Sequence, residues 1–341
     1  MSVAETLTNP SGGTDSSASF LACVQDDLAS VERLLKEEIR SDVRAAYAIS
    51  GHTLSAGGKR LRPALVVLAA RAVQQLYPTR TIHASAGAAE LIHMASLIHD
   101  DVVDGAEERR GRPTANAAFG NQISVLVGDY LLAKSIFLAA REGNIDVIRV
   151  FSNVTIGLSE GEVLQITARG DAETSVETYL RIIEKKTAGF IAGCCEIGAM
   201  LAGGTPAEIE ALRNYGLNCG LAFQVADDLL DYTGDPSETG KALDGDLREG
   251  KMTLPLILAL SDADQDLRVR LSKMMEAPER LTDDDILLVH QSIEACNGYA
   301  RTAEVASGYV VAAQQCLSDL PASEFRDALS AVADYSARRR R

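Results

Sequence analysis

Apolar residues recur at helical spacing along almost the whole of this 341-residue chain, and that periodicity restricts the fold more than any other feature. In FLACVQDDLASVERLLKEEI, Phe20 to Ile39, the residues Leu21, Val24, Leu28, Val31 and Leu35 fall on one helical stripe. Comparable segments cover roughly 60–77, 81–104, 115–142, 144–168, 175–203, 206–232, 253–274 and, with breaks, 284–338. Two T-x-x-E patterns, Thr174 to Glu177 and Thr205 to Glu208, read as capping boxes at helix starts. The second has Pro206 at the first helical position, where its missing N–H does no harm. No run of apolar/polar alternation is long enough for a strand, and the pair Asn297–Gly298 lacks the alternating flanks of a hairpin. No Pro/Gly/Ser-rich linker divides the middle of the chain. Residues 17–341 are therefore expected to form one large all-α domain. The Ser-, Thr- and Gly-rich stretch 1–16 is expected to be a disordered tail.

Against this apolar background, two aspartate clusters are out of place. LIHDDVVD carries Asp100, Asp101 and Asp104, and FQVADDLLDY carries Asp227, Asp228 and Asp231. Carboxylates inside an apolar helix are costly unless paired or metal-bound. Residues four apart share a helix face, so Asp100 with Asp104, and Asp227 with Asp231, project together. One DDxxD is usually a solvated helix face. Two copies, each flanked by apolar residues, demand a cation, because like charges at this spacing repel. Mg²⁺ fits: it takes oxygen ligands, and one or two carboxylates together with substrate phosphates usually hold it. Zinc does not, since Cys23, Cys194, Cys195, Cys219, Cys296 and Cys316 show no metal-ligand spacing. These cysteines read as buried free thiols, as expected in a reducing cytoplasm.

Basic residues lie near both clusters. GGKRLRP supplies Lys59, Arg60 and Arg62, ERRGRPTAN supplies Arg109 and Arg110, and EKKTAGF supplies Lys185 and Lys186. Arginine meets phosphate with a bidentate fork and lysine with a point charge. Two more lysines, Lys241 and Lys251, flank the polar glycine-rich segment YTGDPSETGKALDGDLREGK (Tyr232 to Lys251). This segment is longer than an ordinary connection and is read as a functional lid or a plain connector. A net charge of −15 argues against a nucleic-acid partner. It suits a carboxylate-rich metal site and simple solubility equally. The N-terminal stretch lacks a basic segment followed by an apolar one, so it is not read as a signal peptide. No window of eighteen uncharged apolar residues is found, and no membrane span is expected.

GGKRLRP, LIHDDVVD with RRG five residues on, GEVLQ, KT, FQ-x-x-DDLLDY, GK and GK-x-TLP follow one another in the order seen in trans-polyprenyl diphosphate synthases. The resemblance spans about residues 20 to 338. HDDVVD followed by RRGRPTANAAFGNQISVLVGDY is most similar to the long-chain members, such as the octaprenyl diphosphate synthases that make quinone side chains. The resemblance implies a helical bundle of the isoprenoid synthase type with a central catalytic cavity, a homodimer in the cytoplasm, and Mg²⁺, three ions, as cofactor. The substrates it implies are isopentenyl diphosphate and an allylic primer such as farnesyl diphosphate. The six aspartates would bind Mg²⁺ bridged to the allylic diphosphate. Arg109, Lys186, Lys241 and Lys251 would touch that diphosphate, with Thr187 and Gln224 lining the allylic site. Lys59, Arg62, His93 and Arg110 would hold isopentenyl diphosphate. The family's GKxxxxDxxxGK loop reads GKALDGDLREGK here and keeps Lys241, Asp246 and Lys251.

Chain length is read from the helix carrying the first cluster. Ala95, Ile92 and Ala88 are expected to line a tunnel below Asp100, with Phe137 on the next helix as a deeper floor. Shorter-chain synthases, making geranylgeranyl or farnesyl diphosphate, are the alternative. His99 before Asp100 also mimics the HD dyad of all-helical metal phosphohydrolases, but His290 alone follows downstream as a further histidine ligand. A terpene cyclase would carry one DDxxD and an NSE-type second motif. A non-catalytic subunit of a heteromeric synthase would have lost aspartates that this chain retains. The C-terminal ARRRR (Ala337 to Arg341) lacks an amphipathic anchor, so at most peripheral membrane contact is expected.

Overall fold

The periodic segments become helices in the expected order. The computed structural model describes residues 20–75, 79–109, 111–141, 143–234 and 243–337. The chain passes through α1 (Gln25–Glu38), α2 (Arg44–Ser55), α3 (Leu61–Val73) and α4 (Thr79–Val103). A two-residue antiparallel ladder follows, Glu108–Arg109 against Arg112–Pro113. Next come α5 (Ala115–Phe119), α6 (Asn121–Arg141), α7 (Ile145–Ala168), α8 (Val176–Ile183), α9 (Gly189–Leu201) and α10 (Pro206–Thr233). The last part holds α11 (Gly245–Arg248), α12 (Leu254–Asp262), α13 (Gln265–Met275), α14 (Asp283–Ala295), α15 (Gly298–Cys316) and α16 (Glu324–Ala337).

The stripe Leu21, Val24, Leu28, Val31 and Leu35 is buried, as its spacing required. Helix α4 packs along α6 and α3, and α10 packs along α15 and α9. One core cluster gathers residues of α1, α3, α4, α6 and α9, and a second joins the C-terminal half of α10 to α12 and α14. The two long helices that carry the aspartates therefore each anchor one core.

Several boundaries differ from expectation. The Thr205 capping box forms, with Thr205 and Glu208 bonding reciprocally. The Thr174 box does not. Helix α8 starts one residue later, where Ser175 Oγ accepts from the Thr178 N–H at 3.1 Å, while Thr174 is buried. Two adjacent cap-competent residues made the register ambiguous. The segment 115–142 is cut at Gly120, whose φ of 87° is open to glycine and strained for other residues. Asn297–Gly298 is a helix-to-helix turn with Asn297 at φ 56°. Among the described residues, α6 is long and apolar enough to cross a membrane by length and composition. It carries Asp129 and Lys134 and packs against α4. The segments 1–16 and 338–341 lie outside the described residues.

Candidate active site

Both aspartate clusters open onto one cavity of about 1690 Å³. Asp100, Asp101 and Asp104 come from the C-terminal end of α4, and Asp227, Asp228 and Asp231 from that of α10. Of the predicted basic and polar residues, Lys59, Arg62, His93, Arg109, Lys186, Thr187, Gln224 and Lys251 line the same cavity. Arg110 and Lys241 lie outside the described residues.

Cations already hold much of the first cluster. Arg109 grips Asp101 through Nε and Nη2 at 2.8 and 2.7 Å, and Arg169 Nη2 meets Asp104 at 2.8 Å. Burial, with repulsion from Glu162 and Asp104, pushes Asp100 up to about 6 against the pull of Lys186. In the second cluster, Asp228 is buried and accepts from Tyr179 at 2.6 Å and from Gln224 at 2.8 Å. Thr187 Oγ in turn donates to Gln224 Oε1 at 2.8 Å. Asp228 is raised well above the usual carboxylate range by burial and by Asp246, and those two hydrogen bonds only partly offset this. Burial and Asp246 likewise raise Asp231 to about 6, against the main-chain N–H of Asp246 at 2.9 Å.

The lysines are parked in the same way. Lys186 is ion-paired with Glu162 and hydrogen-bonded to Gln165 at 3.0 Å, and Lys251 lies 2.8 Å from Asp246 and 2.7 Å from Glu249. Arg62 differs. Its guanidinium is buried over the Phe190 ring at 4.8 Å, and its Nε finds no hydrogen-bond acceptor among the described residues. Lys59 meets the hydroxyl of Tyr335, on α16.

Local backbone explains how Lys186 and Thr187 reach the cavity. Residues Glu184–Ala188 form a wide π turn between α8 and α9, a feature that often marks functional sites. Glycine lets two helices close on it. A Cβ on Gly161 of α7 would lie 2.8 Å from Lys186 N, and one on Gly220 of α10 would lie 2.5 Å from Ala188 Cα.

Not every expected residue arrives. Ala88, Ile92 and Ala95 are buried in the helix-packed core and line no part of the cavity. From α4 the wall is built by His93, Met94 and Leu97 instead. Helical phase sorts them: at 3.6 residues per turn, His93, Leu97 and Met94 lie within about 120° of Asp100 on one side of the helix, whereas Ile92, Ala88 and Ala95 lie about 80–140° away on the other, the side that packs into the core. Phe137 stands 62% exposed on the outer face of α6. Arg60 borders the cavity but is bonded to Glu32 and Glu90 at 2.6 Å each, so carboxylates occupy its guanidinium and it organises the GGKRLRP turn. His99 points to α6, with Nε2 3.1 Å from the Val125 carbonyl, and is absent from the cavity wall. Among the described residues, no HD-type centre is assembled. Sequence reasoning missed Tyr179, Arg169 and Glu162. Glu162 sat within the quoted GEVLQ, but Tyr179 on α8 and Arg169, just past the end of α7, carry no local signal.

The carboxylates present suit Mg²⁺. They offer oxygen donors, and crowding in a buried wall raises three of them, so a divalent cation would relieve the repulsion. Among the described residues, no three His, Cys, Asp or Glu side chains converge into a closed cage. That matches an ion whose coordination is completed by phosphate oxygens.

The polyprenyl synthetase family matches residues 43–290. Heptaprenyl diphosphate synthase component 2 of Geobacillus stearothermophilus is 38% identical over 322 residues, covering 94% of this chain and 97% of that protein. Octaprenyl diphosphate synthase of Escherichia coli (strain K12) is 38% identical over 320 residues, covering 92% and 96%. A crystal structure of a polyprenyl synthase from Caulobacter crescentus CB15, complexed with calcium and isoprenyl diphosphate, superposes with a TM-score of 0.88 at 37% identity, covering 98% of this chain and 100% of that one.

Proposed function

This chain belongs to the polyprenyl synthetase family and is a prenyltransferase, and from that premise we propose that it is a long-chain trans-polyprenyl diphosphate synthase. It condenses isopentenyl diphosphate onto an allylic primer such as farnesyl diphosphate, making an octaprenyl-length precursor of a quinone side chain. The observation that carries this reading is the convergence of both DDxxD clusters and two sets of cations on one cavity that also has an apolar lining. The identity to heptaprenyl and octaprenyl synthases supports the long product.

Asp100, Asp101, Asp104, Asp227, Asp228 and Asp231 would hold Mg²⁺, three ions in this reading, which when bound supplies charge neutralisation for the departing diphosphate. Arg109, Lys186 and Lys251 line the same cavity and would add positive charge against the negative charge that develops as the allylic C–O bond breaks. Each must exchange its carboxylate partner for phosphate oxygens. Arg62, with Lys59 and His93, holds the second diphosphate, and a buried guanidinium without an Nε acceptor is ready for an anion. Met94, Leu97, Ile182, Ile183 and Phe223 form an apolar wall that receives the prenyl chain and excludes water from the cation. The isopentenyl double bond attacks the allylic carbon, a C–C bond forms, and the proton leaves to the released diphosphate. No side chain need act as nucleophile.

A homodimer belongs to this reading. Leu126 and Phe137 of α6 and Ile156 and Val163 of α7 are exposed, and a second copy would cover them. The cytoplasm and at most peripheral membrane contact are proposed on the same footing. The decisive experiment incubates purified protein with labelled isopentenyl diphosphate, farnesyl diphosphate and Mg²⁺ and sizes the products. Incorporation into products longer than C20 is expected. No incorporation overturns the reading, and products at or below C20 overturn the long-chain part of it.

A further inference from the structure

The loop after the second aspartate cluster is tied down from behind by a histidine that the proposed chemistry does not use. The Asp231 side chain accepts from the main-chain N–H of Asp246, and its carbonyl accepts from the N–H of Asp244, both at 2.9 Å. Asp246 in turn holds Lys251 at 2.8 Å. The backbone makes these contacts by taking Asp244 through φ 64° and ψ 23°, a left-handed conformation that is unfavourable for a residue with a Cβ. Strain of this kind persists where the surroundings enforce it.

His290, on α14, supplies the enforcement. Its Nε2 lies 2.8 Å from Asp244 Oδ1, and its Nδ1 lies 2.6 Å from the Tyr299 hydroxyl. Burial and the Asp244 charge raise the Tyr299 phenol, which keeps its proton and donates it to Nδ1. That leaves Nε2 to donate to Asp244, so both ring nitrogens have a partner. Tyr232, next to Asp231, packs edge-on against the imidazole with centroids 6.0 Å apart. Its hydroxyl meets Thr253 Oγ at 2.7 Å, beyond the far end of the loop. His290 and Asp244 do not line the cavity; Gly245 and Asp246 do.

We infer that His290 is a positioning residue: through Asp244 it holds the Asp246 amide on Asp231 and the Asp246 carboxylate on Lys251, fixing one wall of the allylic diphosphate site. The inference rests on the proposed prenyl transfer for its kinetic consequence, but not for its structural one. In the full-length protein, His290→Ala is expected to speed amide hydrogen exchange over 243–251 about tenfold or more. It is expected to raise the KM for the allylic diphosphate about 10- to 100-fold, as removal of a supporting partner behind a metal site does, with the KM for isopentenyl diphosphate unchanged. His290→Gln, which keeps an N–H donor, should recover most of both. Asp244→Gly adopts positive φ freely, so it should hold the loop without the histidine. In that background His290→Ala should add nothing. Unchanged exchange in His290→Ala, or losses that add in the double variant, overturn the inference. Should His290→Ala fail to fold, His290→Gln with and without Asp244→Gly makes the same comparison. If the wild-type protein transfers no prenyl group, the functional reading fails while the exchange measurements still decide the latch.

Discussion

Replacing Asp100 by Asn should make the metal-free protein more stable and abolish prenyl transfer. Burial, reinforced by Glu162 and Asp104, lifts Asp100 to about 6 from an ordinary value of 3.8. The folded state therefore binds this proton more tightly than the unfolded chain does. The stability that comes with the protonated carboxyl is complete below about pH 4 and is lost as pH rises through about 6. Above pH 7 the ionised group costs the fold at most about 3 kcal/mol, from a shift of about two units at roughly 1.4 kcal/mol each. Asn mimics the protonated acid in shape and charge, so Asp100→Asn should recover that amount at pH 8 and only about a third of it, about 1 kcal/mol, at pH 4.5. Urea unfolding in EDTA at both pH values measures it, with thermal unfolding as a check. An Asp100→Asn protein less stable than wild type at pH 8, or equally stabilised at both pH values, would refute the account of this wall as crowded carboxylates awaiting a cation.

Other substitutions test other parts. Tyr179→Phe removes a hydrogen bond to the buried Asp228, and leaving that oxygen without a partner should cost about 1–3 kcal/mol; a Mg²⁺ titration of product formation should also shift. Arg60→Ala strands Glu90 and Glu32, of which Glu90 is buried, and should cost about 3–5 kcal/mol in unfolding experiments. Lys59→Ala, at an exposed position, should leave stability unchanged and raise the KM for isopentenyl diphosphate. Gly161→Ala pushes a methyl into the main chain at Lys186; overpacking of about 1–3 kcal/mol and a higher allylic KM are expected from denaturation and steady-state kinetics.

Much of this protein could be read without coordinates because helices and paired motifs are local facts. Period 3.6 fixed which faces of α1 and α10 are apolar, and the i, i+4 spacing put each pair of aspartates on one side of its helix. The motif order named the family whose match was then found. What the sequence could not decide were relations between distant elements. Arg60 and Arg62 are two residues apart, yet one is locked into Glu32 and Glu90 while the other lies over Phe190 with its Nε unpaired. Their sequence neighbourhoods are the same, and packing alone separates them. The expected tunnel stripe of Ala95, Ile92 and Ala88 faces the core because the rotation of α4 is set by its neighbours α3 and α6, which one helix's own pattern does not encode. Tyr179 and His290 acquire meaning only through Asp228, 49 positions away, and Asp244, 46 positions away. Charge in an apolar run announced that a site exists. Which side chains satisfy that charge is decided by the tertiary fold, because a buried carboxylate takes its partners from whatever helices are packed against it.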